Sequence, residues 1–229
     1  MIKLKIILLA FLLLLNACAT QSLSLKKEAT KKIYSIDQVL IIPQNNLDIT
    51  ITPGNPGSSG IIGALLVATI DSVRRSSAEK EALPIINELH EYDFRSVMLD
   101  AMHSEIKKQN ALNSQIHVTL ETVDSASNRW AVFDRSNASS VLFTQVQYRL
   151  NSGNLIVEAK AEMYPKAETL YSYREKPNNT SKLDKGNMIY RKNFKYEQQR
   201  VLASDIRSSL SEAANSIARQ IITDLAHPI

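Results

Sequence analysis

The sequence predicts an α+β domain: a mainly antiparallel sheet of hairpins with two or three amphipathic helices packed on one face. Two runs, Val141–Leu150 and Leu155–Tyr164, alternate apolar and polar residues and are joined by the turn-forming residues 151–154, which is typical of a β-hairpin. Residues 201–225 instead repeat apolar residues at spacings of three and four, the pattern of a helix with one buried face. A chain of 229 residues with 44% hydrophobic content is long enough to build one core from these elements.

The N-terminal residues 1–17 have the features of a signal peptide. Lys3 and Lys5 precede an unbroken apolar run, Ile6–Leu15, and small residues follow it. A helix of that length covers about half of the hydrocarbon core of a bilayer, so the run is too short to span a membrane. We therefore expect residues 1–17 to be removed during export.

The end of this leader, Leu15-Asn16-Ala17-Cys18, resembles the lipobox of bacterial lipoproteins. The resemblance implies that Leu15, Ala17 and Cys18 are recognised by the signal peptidase and that Cys18 carries lipid at the mature N-terminus. More than one acyl chain would make the anchoring stable. Ala19 follows the cysteine, where an Asp commonly retains family members in the inner membrane, so the resemblance implies a periplasm-facing protein of the outer membrane of a Gram-negative bacterium. An ordinary secretory signal with a chance cysteine is the alternative.

The mature chain is predicted to begin with a lipidated flexible tether, residues 18–32, because this stretch is polar and has no apolar period. A single domain, residues 33–229, follows. Within it, residues 33–42 and 47–52 are rich in β-branched residues or alternate at period two, and both are predicted strands.

An uncharged segment, residues 60–70, comes after a loop rich in Gly and Pro. As a helix it would be apolar all round, so it must be buried in its own domain, against a partner, or in lipid. The small residues would let another helix approach closely. The residues proposed for contact with a partner or a membrane are Gly60, Ile61, Ile62, Gly63, Leu65 and Leu66.

The rest of the chain is assigned from the same periodicities. Residues 78–109 are predicted to be helical, with a restart at Pro84, a cap at Asp93 and an apolar stripe that includes Leu83 and Ile86. Three further predictions are a strand at 116–121, a long polar connection at 124–140, and a second hairpin that pairs 169–174 with 187–197.

The charges of the domain are unevenly distributed. Residues 79–105 carry seven acidic and two basic side chains, whereas residues 174–200 carry eight basic and three acidic ones. In the basic block, aromatic residues interleave with Arg174, Arg191, Lys192 and Lys195. This composition suits anionic lipid head groups, lipopolysaccharide phosphates or an acidic protein. The alternative is an alternating sheet with a solvated basic face.

The sequence contains no recognisable catalytic or metal-binding motif. His90, His103, His117 and His227 do not have zinc-binding spacing, and the single cysteine is assigned to lipid. No phosphate-binding glycine motif is present. Without the leader the chain is nearly neutral, which gives no reason to expect nucleic acid as a partner. We expect no catalytic residues, no metal and no cofactor.

These observations favour a non-enzymatic envelope lipoprotein that acts as an accessory or docking component of a membrane-associated or transport assembly. The order of hairpins and a long closing helix is similar to that of the accessory lipoproteins of envelope transport systems, including ABC-transporter auxiliary components. That resemblance implies an envelope protein partner but assigns no binding residue. The alternative is a membrane-active or oligomerising, pore-associated lipoprotein that uses residues 60–70.

Overall fold

The computed structural model describes residues 22–43, 47–51, 60–62, 82–109, 117–123, 128–176 and 183–229. The predicted signal peptide, Cys18, Gly63, Leu65 and Leu66 lie outside the described residues. The strands are β1 (Ser35–Ile41), β2 (Asp48–Ile51), β3 (Gly60–Ile62), β4 (His117–Val123), β5 (Ser140–Asn151), β6 (Asn154–Pro165) and β7 (Tyr190–Gln198). The helices are α1 (Lys27–Thr30), α2 (82–88), α3 (Phe94–Gln109), α4 (Arg129–Arg135) and α5 (Ile206–Ala226).

The strands form one mixed sheet around the long central strand β5. On one side, β6 and then β7 follow in antiparallel order. On the other side, β1 and β2 lie end to end along β5, both parallel to it. Beyond them, β4 is parallel to β1 and β3 is antiparallel to β2. The predicted α+β class is confirmed. The parallel pairings, which join segments distant in the sequence, were not predicted.

The hairpin of β5 and β6 has the register that the alternating pattern predicts. Asn151 pairs with Asn154, and the two residues between them have positive φ angles, 46° at Ser152 and 79° at Gly153. Positive φ at both central positions is the geometry of the tight turn that matches the twist of antiparallel strands, and glycine adopts it without strain. This hairpin forms the centre of the sheet.

Helices α3 and α5 pack on one face of the sheet, with α5 over β6 and β7 and α3 beside it towards β4. The inward residues of β6 are buried as predicted: Leu155, Val157, Ala159, Ala161 and Met163. The predicted cap is confirmed, because Asp93 accepts the backbone N–H of Arg95 at 3.0 Å. The helical stripes are shorter than predicted, since Leu83, Ile86 and Leu202 are exposed.

On the other face of the sheet, the described helices cover one end only. There α4 packs Val132 and Phe133 onto Val39, Ile41, Val141, Phe143, Tyr164 and Met188. This end, where β1, β4 and β5 begin and β6 ends, is called the lower end below. The prediction of a polar connection at 124–140 was therefore wrong for 129–135. Those residues form a short helix, stabilised at its C-terminal end by Lys166, whose ammonium donates to the carbonyl oxygen of Phe133 at 2.6 Å.

The first described residues belong to the folded domain. Leu23 and Arg191 exchange two backbone hydrogen bonds of 2.8 Å, and Leu25 is 2% exposed. Ala29, in the single turn of α1, is also buried. The prediction of a flexible tether is thus wrong for residues 22–32. Apolar residues two to four positions apart are enough to fix such a short segment, but they are too few to give a periodic signal.

Two other sequence predictions were wrong. Glu168–Tyr173 forms a 3-10 helix, so no second hairpin forms and β7 pairs with β6 instead. Gly60–Ile62 is a strand that pairs with β2 and is not part of a helix, so the proposed helical contact surface does not begin at Gly60. No helix in the described part of the chain is long and apolar enough to cross a bilayer.

Candidate functional site

The part of the sheet that no described helix covers carries a shallow groove, which we call the open face. It spans β5, β6 and β7, with a volume of about 480 Å³. The side chains that line it belong to alternate residues of these strands, which point away from α3 and α5. They are Gln145, Gln147, Glu158, Lys160, Asn193 and Lys195.

The strand register places these side chains in two rows. Gln145 is opposite Lys160, which is opposite Asn193. In the next row Gln147 is opposite Glu158, which is opposite Lys195. Directly opposed side chains on neighbouring strands lie within contact distance of one another. Each row therefore offers amide or charged groups across three adjacent strands.

The charges of the open face are paired with each other or with nearby residues. Arg149 donates to Glu158 at 2.9 Å, Lys195 donates to Glu197 at 2.6 Å, and Lys160 donates to Glu162 at 2.5 Å. Because each of these cations has a carboxylate neighbour, the open face is not a basic surface. Its uncharged amides alternate with ion pairs.

Towards the lower end, the open face continues into a partly buried ionic cluster. Glu162, which is 4% exposed, also accepts a hydrogen bond of 2.7 Å from Arg129 on α4. The Arg129 guanidinium lies over the ring of Phe143, 4.8 Å from its centre, and near the ring of Tyr164. The alternation of β6 places Glu162 on the same face as Glu158 and Lys160, and the docking of α4 is the reason that Glu162 is shielded from water.

The pKa values of Glu162 and Tyr164 are suited to a structural role and not to proton transfer. Burial opposes the negative charge of Glu162, but hydrogen bonds from Lys160 and Arg129 outweigh that effect and hold its pKa below the usual value. Burial raises the pKa of Tyr164 to about 12. A general acid or base works best with a pKa near the operating pH, so neither group is suited to that role near neutrality.

The four basic residues proposed for an anionic ligand do not lie together. Arg191 is buried and contacts Glu175 at 3.3 Å. Lys192 points to the other face of the sheet, where it and Tyr190 both contact Asp224 of α5. Lys195 lies on the open face, paired as described above, and Arg174 lies over the ring of Tyr171 at 3.4 Å. Successive residues of β7 alternate between faces, so a run of basic residues in the sequence does not form one basic face.

Sequence reasoning missed the three amide side chains of the open face, Gln145, Gln147 and Asn193. Their signal is present, since each occupies an outward position of an alternating strand. The period of two gives the face of each residue but not its neighbours on other strands, which depend on the register. In the described ranges, no group of three His, Cys, Asp or Glu side chains is placed to hold a metal ion.

Comparison with known proteins gives similarity of structure only. No protein-family profile and no curated protein matches the chain. The structure of protein XCC0632 from Xanthomonas campestris, described as DUF330, aligns over 81% of each chain with 8% identity and a TM-score of 0.34. A PelC dodecamer from Paraburkholderia phytofirmans aligns over 90% of this chain and 94% of its own, with 13% identity and a TM-score of 0.31. Similarity at this level does not transfer a function to this chain.

Proposed function

We propose that the chain is a non-enzymatic envelope lipoprotein, anchored through Cys18 in the outer membrane, whose open face docks a protein partner of a membrane-associated or transport assembly. The observation that carries the proposal is the pair of cross-strand rows on the open face, Gln145–Lys160–Asn193 and Gln147–Glu158–Lys195. The lipobox resemblance at residues 15–18 supplies the location.

The shape of the open face favours a protein over a small molecule. Small-molecule sites enclose most of the surface of their ligand, whereas this groove is shallow and open across three strands. Amides can donate and accept hydrogen bonds at once, so they can contact a polypeptide without leaving a charge unpaired. Ion pairs at the rim would orient the partner more than they strengthen its binding.

Lipidation is tested by changing Cys18 to Ser in the full chain and determining the mass of the mature N-terminus. The wild-type protein should carry a mass increase on Cys18 equal to its acyl chains and should fractionate with membranes. The variant should lack both properties. An unmodified Cys18 in the wild-type protein would overturn the anchor, as would a leader cleaved at another position.

Docking is tested with the double substitution Gln147→Arg and Asn193→Arg, which places two bulky cations in the groove. The matched control is Asn215→Arg, on the exposed side of α5. Chemical cross-linking in intact envelopes, followed by purification of the tagged chain, should recover one protein in stoichiometric amount with the wild type and the control but not with the double variant. Recovery of the same protein with all three would contradict docking at the open face, and recovery of the chain itself would identify the partner as a second copy.

A further inference from the structure

The surface next to the proposed lipid anchor is formed by the segment 26–32 and by Tyr173, which Lys32 contacts and which Arg174 follows in the sequence. We infer that this surface, called the basal patch, rests on anionic lipid head groups of the membrane that holds the anchor. The inference depends on the proposed lipidation of Cys18 and adds the orientation of the domain to it.

The distance between the anchor and the folded domain is short. The backbone hydrogen bonds between Leu23 and Arg191 and the burial of Leu25 fix the chain from residue 23 onward. Leu23 is five positions after Cys18 in the sequence, and an extended chain covers at most about 3.5 Å per residue. Leu23 therefore lies within about 17 Å of the lipidated residue, so the side of the domain that carries Leu23 is held close to the bilayer.

The exposed side of this segment is basic. Leu25, Ala29 and Ile33 turn inward and are buried. The side chains between and beside them are exposed, and four of them are lysines: Lys26, Lys27, Lys31 and Lys32. Glu28 is the only acidic residue of the segment. Basic residues clustered beside a membrane anchor are attracted by anionic lipids over a distance of about a Debye length, roughly 8 Å.

The pairing of these lysines differs from that of the basic residues in the sheet. On the sheet, Lys160, Lys192 and Lys195 each contact a carboxylate. Among the residues that the structure describes, no Asp or Glu side chain lies within ion-pair distance of the ammonium groups of these four lysines. Their charge is therefore available to an external anion.

Apolar and aromatic groups adjoin these cations. Ile229 exchanges backbone hydrogen bonds with the patch, accepting from Lys27 at 2.9 Å and donating to Leu25 at 3.0 Å, and its side chain is 80% exposed. The ammonium of Lys32 lies 5.1 Å from the centre of the Tyr173 ring, next to Arg174 in the sequence. An exposed aliphatic tip and aromatic rings beside cations are suited to the boundary between head groups and acyl chains.

The experiment uses the full lipidated chain in two kinds of vesicle, phosphatidylcholine alone and an equal mixture with phosphatidylglycerol. An amine-reactive reagent modifies exposed lysines, and mass spectrometry gives the rate at each site. The rates at the four lysines of the basal patch should fall several-fold in the anionic vesicles. The rate at Lys195, about four residues further along β7 from the contact with Leu23, should not change. Equal rates at the basal patch in both vesicles would overturn the inference.

A quadruple variant, Lys26→Gln, Lys27→Gln, Lys31→Gln and Lys32→Gln, separates orientation from anchoring. It should still float with both kinds of vesicle, because the lipid remains. In the wild-type chain the exposed Lys176, two residues after Arg174, should also be labelled more slowly in the anionic vesicles, and in the quadruple variant this difference should disappear. A wild-type chain without lipid would overturn the proposed anchor. The basal patch would then be supported only if that chain still floated with phosphatidylglycerol vesicles and the quadruple variant did not, and it would be rejected if neither floated.

Discussion

The two faces of the sheet are built from the same strands but have different roles. On the face under α3 and α5, β6 presents Leu155, Val157 and Ala159, all buried. On the other face the same strand presents Glu158 and Lys160 to the groove. Alternation gives a single strand two environments. The helix-covered face stabilises the fold, while the open face can change its side chains without disturbing that core, which is what a docking surface needs.

The largest effect is expected on the helix-covered face. Leu210 of α5 is fully buried in the main core, so Leu210→Ala removes buried methyl groups and leaves a cavity. The free energy of unfolding should fall by about 2–5 kcal/mol, as measured by urea denaturation. The control Asn215→Ala, on the exposed side of the same helix, should change it by less than about 0.5 kcal/mol. Equal effects of the two would mean that α5 does not pack as described.

Substitutions in the ionic cluster under α4, at the lower end of the open face, should have an intermediate effect on the free energy of unfolding. Glu162→Gln keeps the shape of the side chain but removes the anion that faces Arg129 and Lys160. Both cations retain access to water, since their side chains are 21% and 39% exposed, so the cost should be smaller than for a fully buried pair. We expect a loss of about 1–3 kcal/mol in the free energy of unfolding. The double variant Glu162→Gln with Arg129→Met should recover part of that loss, and a loss no smaller than the sum of the two single variants would contradict the pairing.

The same cluster should make the difference between the wild type and Glu162→Gln depend on pH. The pKa of Glu162 is lower in the folded chain than its usual value of 4.5. Its ionised form therefore contributes stability in full above pH 4.5, and that contribution is lost as the pH falls through the folded value. Urea denaturation at a series of pH values should show the two proteins converging in acid. A difference that stays constant down to the acid limit of folding would mean that the charge of Glu162 is not the source of the effect.

The elements that were predicted correctly are those whose pattern lies within a short stretch of the sequence. The turn at Ser152 and Gly153 and the alternating strands beside it form a hairpin because all the interactions lie within a few residues. The apolar stripe of α5 likewise appears in the sequence at helical spacing. These two elements, together with the cap at Asp93, were enough to give the fold class and the covered face.

Contacts between distant segments could not be predicted from the sequence. The parallel pairing of β1 with β4 and β5 produces no recognisable pattern in the local sequence. The same is true of the backbone pairing of Leu23 with Arg191. The same reason explains the candidate site. The sequence groups Arg191, Lys192 and Lys195 because they are close in the chain, while the structure groups Gln145, Lys160 and Asn193 because they are opposite one another in the sheet.

The smallest effect on stability is expected at the centre of the open face. Gln147 is exposed and contributes its amide to the groove, so Gln147→Ala should change the free energy of unfolding by less than about 0.5 kcal/mol. Urea denaturation of Gln147→Ala and Leu210→Ala under the same conditions compares the contributions of the two faces to the free energy of unfolding. A loss above about 1 kcal/mol would show that the row through Gln147 stabilises the sheet, and the open face would then be part of the fold's support. A neutral result leaves these side chains free for contact, because a residue that the fold does not need can be used entirely for binding.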